Sequence, residues 1–154
     1  MNVGSYIINL ISQQTAYAHC DIPCGVYDVH GAQMAAYTVI RMIQLLDEKK
    51  SQHDISRIVH VKEKHGELIE EELGTLENDY FKPEHHTEFP ELKELISNAV
   101  KLSITVRQNI DIESAEKLLS ETQKIADIFY RTKDFEPVRI PSGYPTGGEI
   151  VSHT

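Results

Sequence analysis

The chain has 154 residues, a length that fits one domain, with 40% hydrophobic and 25% charged residues, no tryptophan and a net charge of −9. Its 24 acidic residues outnumber 15 basic ones and no Lys/Arg block concentrates positive charge, which argues against a nucleic-acid partner. No apolar run approaches the ~20 residues that span a bilayer, and two cysteines are too few for a disulfide framework or a four-thiolate zinc site.

Residues 1–18 carry no charged side chain. A short apolar patch (Tyr6, Ile7, Ile8, Leu10, Ile11) is followed by Ser12, Gln13, Gln14 and Thr15, then by the small-residue pattern Ala16-Tyr17-Ala18. That A-x-A pattern is the one feature that favours export. The basic n-region of a secretory signal is missing, so the segment reads as a short cytoplasmic propeptide.

The next ten residues, His19-Cys20-Asp21-Ile22-Pro23-Cys24-Gly25-Val26-Tyr27-Asp28, hold the chemistry. They place one imidazole and two thiols within six residues, with Pro23 and Gly25 able to turn the chain sharply. Cleavage between Ala18 and His19 would add a free amine at the same place. With a deprotonated Cys20 amide, the donors form a planar set of two nitrogens and two sulfurs, which suits nickel or copper better than tetrahedral zinc. Spacing alone, however, favours a pair of ordinary thiols.

The body reads as four amphipathic helices. From Gly31 to about residue 50, Ala32, Ala35, Ala36, Val39, Met42, Ile43 and Leu46 recur in steps of three and four. A second helix is expected from an Asp54 N-cap through Ile55, Ile58, Val61, Leu68, Leu73 and Leu76 to Tyr80, with Glu70, Glu71 and Glu72 on a solvated face. Phe81-Lys82-Pro83 breaks the pattern. A third helix starting near Pro90 carries Leu92, Leu95, Ile96, Ala99 and Leu102 inward. Asp111 caps a fourth, where Ala115, Leu118, Leu119, Thr122, Ile125, Ala126 and Phe129 form the clearest stripe. No segment alternates convincingly with period two, and short links between such helices predict an all-α, antiparallel four-helix bundle. Residues 136–154, rich in Pro and Gly, are expected to form a flexible tail or an arm on a neighbour.

The string from His19 to Asp28 closely resembles the hook H-C-D-x-P-C-G-x-Y-D of nickel-containing superoxide dismutases. Two further stretches are similar to the same family. Asp79-Tyr80-Phe81-Lys82-Pro83 with Phe89-Pro90-Glu91-Leu92 matches its interhelical linker, and Ile125-Ala126-Asp127-Ile128-Phe129 matches its last helix. The resemblance covers about residues 19–135 and implies a four-helix bundle assembled as a homohexamer, with superoxide as substrate and a protease that exposes His19. It implies one nickel ion per subunit, held by the His19 amine, the Cys20 amide nitrogen, the Cys20 and Cys24 thiolates and, in the oxidised state, the His19 imidazole. Ni(II)/Ni(III) cycling would convert two superoxides and two protons into dioxygen and hydrogen peroxide. Anionic thiolate and amide donors favour the higher oxidation state, which brings that couple within reach of superoxide.

By the same resemblance Tyr27 and Tyr80 would crowd the open face and order water or a small anion. Asp21 would stabilise the hook turn, Pro23 would kink it through a cis peptide bond, and Lys82 would draw an anion towards a chain of net negative charge. The sequence departs from the family at two positions. A glutamate that supports the axial imidazole is replaced by Ala35, and its arginine partner by His65. His65 is read either as a substitute anchor or, slightly better, as a polar residue on the bundle wall. The rival to an enzyme is a non-catalytic helical bundle whose hook binds nickel for storage or sensing.

Overall fold

A computed structural model describes residues 24–49 and 51–154. The expected leader 1–18 and the hook residues His19, Cys20, Asp21 and Pro23 lie outside the described residues. Five helices and one hairpin follow in chain order: α1 His30–Glu48, α2 Gln52–Thr75, α3 Pro83–Glu88, α4 Leu92–Gln108, α5 Ile112–Arg131, β1 Pro137–Pro141 and β2 Glu149–His153. The four long helices are the four expected from the apolar stripes. Each packs against two others in a closed ring, α1 on α2, α2 on α4, α4 on α5 and α5 on α1. Among the described residues, no helix is long and apolar enough to cross a membrane.

The stripes meet as predicted. Ala32, Ala35, Ala36 and Val39 of α1, Ile69 and Leu73 of α2, Leu92, Ala99 and Val106 of α4, and Ala115, Leu118, Ile125 and Ala126 of α5 are all fully buried. Small residues on α1 let its neighbours approach closely. Running antiparallel, α2 and α4 also meet through polar groups: Glu70 accepts from Ser103 at 2.9 Å and pairs with Arg107 at 2.6 Å.

Helix ends differ from expectation in detail. α2 starts at Gln52, so Asp54 sits in its first turn, where a carboxylate favours the helix dipole, instead of capping it. Past Thr75 the chain widens into one π-helical turn, Leu76–Tyr80, before Phe81 extends. The break after Tyr80 contains the short α3, with Pro83 as its first residue. Asp111 caps α5 as expected, its Oδ1 accepting from the Glu113 amide at 3.0 Å and the Ser114 amide at 3.3 Å.

The all-helical bundle stands, and the expected flexible tail is instead a short hairpin laid on it. Residues 137–153 form an antiparallel hairpin with Arg139 opposite Val151, and Val151 is buried against the bundle. Side chains from two helices satisfy the outer edge of β2. The Gln33 amide donates to the Val151 carbonyl at 3.0 Å and accepts from its N–H at 2.8 Å. Tyr37 Oη and Gln123 Nε2 both donate to the Glu149 carbonyl, at 2.5 Å and 2.6 Å. An edge strand whose backbone groups are capped this way has little reason to detach.

Candidate metal centre

Cys24 is where the described chain begins, and it carries an exposed thiol. The Val26 N–H points at its Sγ, 3.5 Å away. That contact follows from Gly25, whose φ of 72° lies in the left-handed region and bends the chain back past the sulfur. Asp28 then closes the approach to α1, its Oδ1 accepting from the His30 amide at 2.7 Å. Among the described residues no group of three or more His, Cys, Asp or Glu side chains could hold a metal ion. A centre at Cys24 therefore needs donors from residues 19–23, and the residue types there, an imidazole and a second thiol, fit a thiolate-rich nickel site.

Three residues after Cys24, half-buried Tyr27 meets half-buried Tyr80 with ring centroids 5.5 Å apart. The π-helical turn at the end of α2 carries Tyr80, which also packs on Phe129 of α5 at 4.9 Å and stacks on His85 of α3 at 5.7 Å. The Thr132 hydroxyl gives its only proton to the Phe129 carbonyl at 2.7 Å, so Tyr80 must donate to Thr132 Oγ1 at 2.8 Å. The Tyr80 oxygen is left to accept hydrogen bonds. Burial raises its phenol above the ordinary value, so it is protonated at neutral pH.

A cation that the sequence did not suggest completes this end of the bundle. Lys133, just beyond α5, donates to the Tyr27 carbonyl at 3.2 Å. Its Nζ lies 4.6 Å from the centre of the Phe129 ring and 5.4 Å from that of Tyr80. Nothing in the local sequence Thr132-Lys133 distinguishes it from a surface lysine. Only the return of α5 to the start of α1 brings it there.

Lys82 is exposed, two residues beyond Tyr80, and its backbone N–H donates to His85 Nδ1 at 3.2 Å. Ala35 is buried in the core and brings no charge. His65 is half-buried on α2, with its Nδ1 2.8 Å from the carbonyl of Val61 one turn back in the same helix.

Fold and site together define a helical bundle with an exposed cysteine thiol just before its first helix. The model of the nickel-containing superoxide dismutase family matches residues 14–133. The chain belongs to that family. It is 36% identical over 116 residues to a superoxide dismutase [Ni] of Streptomyces seoulensis, covering 75% of this chain and 88% of that one. It is 34% identical over 119 residues to a superoxide dismutase [Ni] of Streptomyces coelicolor, covering 77% and 91%. A crystal structure of a nickel-containing superoxide dismutase with nickel ligation corresponding to the oxidised state superposes with a TM-score of 0.72 at 35% identity, covering 75% of this chain and 99% of that one. The family match ends at residue 133, before the hairpin begins.

Proposed function

We propose that this chain, once cut between Ala18 and His19, disproportionates superoxide at a nickel ion held by the new N-terminus. Membership of the family over residues 14–133 carries the reading. The exposed Cys24 thiol, three residues before the Tyr27 ring that meets Tyr80, supports it. The ligands are the His19 amine and imidazole, the Cys20 amide nitrogen and the thiolates of Cys20 and Cys24. Bound nickel supplies a one-electron couple, which oxidises one superoxide to dioxygen and reduces a second, with two protons, to hydrogen peroxide.

The chain's own groups hold and guard that chemistry. The Val26 N–H aimed at Cys24 Sγ draws negative charge from the sulfur, which slows oxidation of the thiolate by the peroxide product. The Tyr27 and Tyr80 rings narrow the approach so that only a small molecule enters. Protonated Tyr80, already donating to Thr132, offers lone pairs that orient a water at the open face. Lys133 and Lys82 supply the local positive field that an anionic substrate needs against a net charge of −9.

The proposal extends to a 1–18 propeptide removed by a protease, a catalytic body at 19–135, a cytoplasmic location, and assembly as a homohexamer. N-terminal sequencing and metal analysis of purified active protein, together with superoxide decay followed by pulse radiolysis, test it. A start at His19 with about one nickel per chain and fast decay is expected. Nickel without activity would favour storage or sensing, and an active chain that keeps Met1 would refute the assignment. Cys24→Ser should bring nickel content and nickel-dependent decay to background while the helical circular dichroism is unchanged.

A further inference from the structure

β2 lies along the seam between α1 and α5 and bonds to α1 in regular steps. The Glu149 carbonyl accepts from the Tyr37 hydroxyl, and two residues on, Val151 engages both groups of the Gln33 amide. Four helical residues or two strand residues each advance a chain by about 6 Å, so strand and helix stay in register. The next step along β2 is His153, and four residues back along α1 is the fully buried Val29, whose carbonyl accepts from the Gln33 N–H at 3.4 Å. There His153 packs on Tyr130 of α5 with ring centroids 4.9 Å apart and stacks on Phe135 at 4.3 Å. Burial raises the Tyr130 phenol, and the Asp28 carboxylate is near enough to add to it. Lys133 ties the Tyr27 carbonyl to the same end of α5. The end of β2 thus reaches the place where the segment carrying Cys24 enters α1.

The other strand is closed to a further partner. Val151 directs its backbone groups at Gln33, away from β1, so Arg139 opposite it directs its own outward, and Pro137 and Pro141 share that side. Two of the three outward positions of β1 therefore have no N–H to offer another strand. The hairpin serves its own bundle.

We propose that the hairpin is a strap that holds the root of the Cys24 segment, residues 27–33, against the end of α5. Gln33 is its buckle, since one side chain on the first turn of α1 grips both backbone groups of Val151. Gly148, with φ of 81°, lets the hairpin turn pass over α1, because a Cβ there would stand 2.6 Å from the Tyr37 hydroxyl.

Amide hydrogen exchange of the full chain without metal, read by mass spectrometry, tests this. Gly148→Ala drives a methyl group into the Tyr37 hydroxyl and so lifts the hairpin from α1. Exchange over residues 28–37 should speed up about tenfold or more, while α2 and α4 keep the parent's rates. The control is Lys62→Met, which weakens the opposite end of the bundle by removing the ammonium from the last carbonyls of α4. It should not single out residues 28–37. An unchanged rate at 28–37 in Gly148→Ala overturns the proposal. An equal rise in all four long helices overturns it too, because that marks a general loss of stability, and so does a selective rise at 28–37 in Lys62→Met. Should Gly148→Ala fail to fold, Arg139→Ala decides by the same criteria. It removes the exposed hairpin's ion pair with Asp127 of α5, at 3.1 Å, without touching the core. No nickel enters the measurement, so failure of the cleaved chain to bind nickel would sink the proposed function and leave the strap standing.

Discussion

At the scale of single residues, burial sets the behaviour of the phenols, and placement that of Lys133. Burial raises Tyr37, Tyr80 and Tyr130 above the ordinary value of 10.0, and for Tyr130 the nearby Asp28 carboxylate adds to it. The folded chain thus holds these protons more tightly than the unfolded chain does. Their contribution to stability is complete below about pH 10 and is lost as pH rises through the raised folded values. Alkaline unfolding followed by far-ultraviolet circular dichroism and phenolate absorbance should show this. Tyr130→Phe should move the alkaline midpoint upward while changing the neutral-pH melting temperature little. Lys133 acts through position, close to two rings and to the Tyr27 carbonyl. Lys133→Met should lower the superoxide rate constant several-fold at low ionic strength and flatten its salt dependence, because a screened steering charge is what is removed.

At the scale of elements, the helix ends carry the polar accounts. Lys62 on α2 is only 2% exposed, and its ammonium donates to the carbonyls of Val106, Arg107 and Asn109. These three acceptors close the C-terminal end of α4, where a cation also meets the negative end of the helix dipole. Lys62→Met keeps the aliphatic stem but strands those carbonyls, and a loss of about 1.5–3 kcal/mol in urea-induced unfolding is expected. Asp111 does the corresponding service at the start of α5. The hydroxyl and amide of Ser114 hold its carboxyl below the ordinary value of 3.8. Its stabilising effect is therefore present above about pH 4 and fades as pH falls through the lower folded value. Asp111→Asn should retain the cap yet remove that acid-side dependence, which thermal melts across the acid range can check. Both devices use residue types that sequence reading can rank at helix ends, but only Asp111 was legible. Its acceptor sits two and three residues from its donors, whereas Lys62 reaches across 44 residues or more.

At the scale of the whole molecule, the hairpin decides how much of the chain belongs to the folded body. Gln33 is fully buried and pairs both of its amide groups with Val151. Gln33→Leu should cost about 1–3 kcal/mol, since it leaves the Val151 N–H and carbonyl buried without partners, and the melting temperature should fall accordingly. The strands escaped notice in the sequence because they are five residues long, β1 begins and ends in proline, and together they bury mainly Val151. Two of their stabilising partners, Gln33 and Tyr37, lie more than a hundred residues upstream on α1. Local periodicity, by contrast, was enough for the four long helices, because a stripe repeating every three to four residues needs a hydrophobic partner and four such stripes can supply one another. The ten residues from His19 to Asp28 likewise put an imidazole and two thiols within six residues, a spacing that is a property of the local chain. What only the tertiary structure decided is which distant groups stand at that end of the bundle. Tyr80 meeting Tyr27, Lys133 returning beneath both, and β2 lying along the seam between α1 and α5 all depend on how antiparallel helices bring separate parts of the chain to one place.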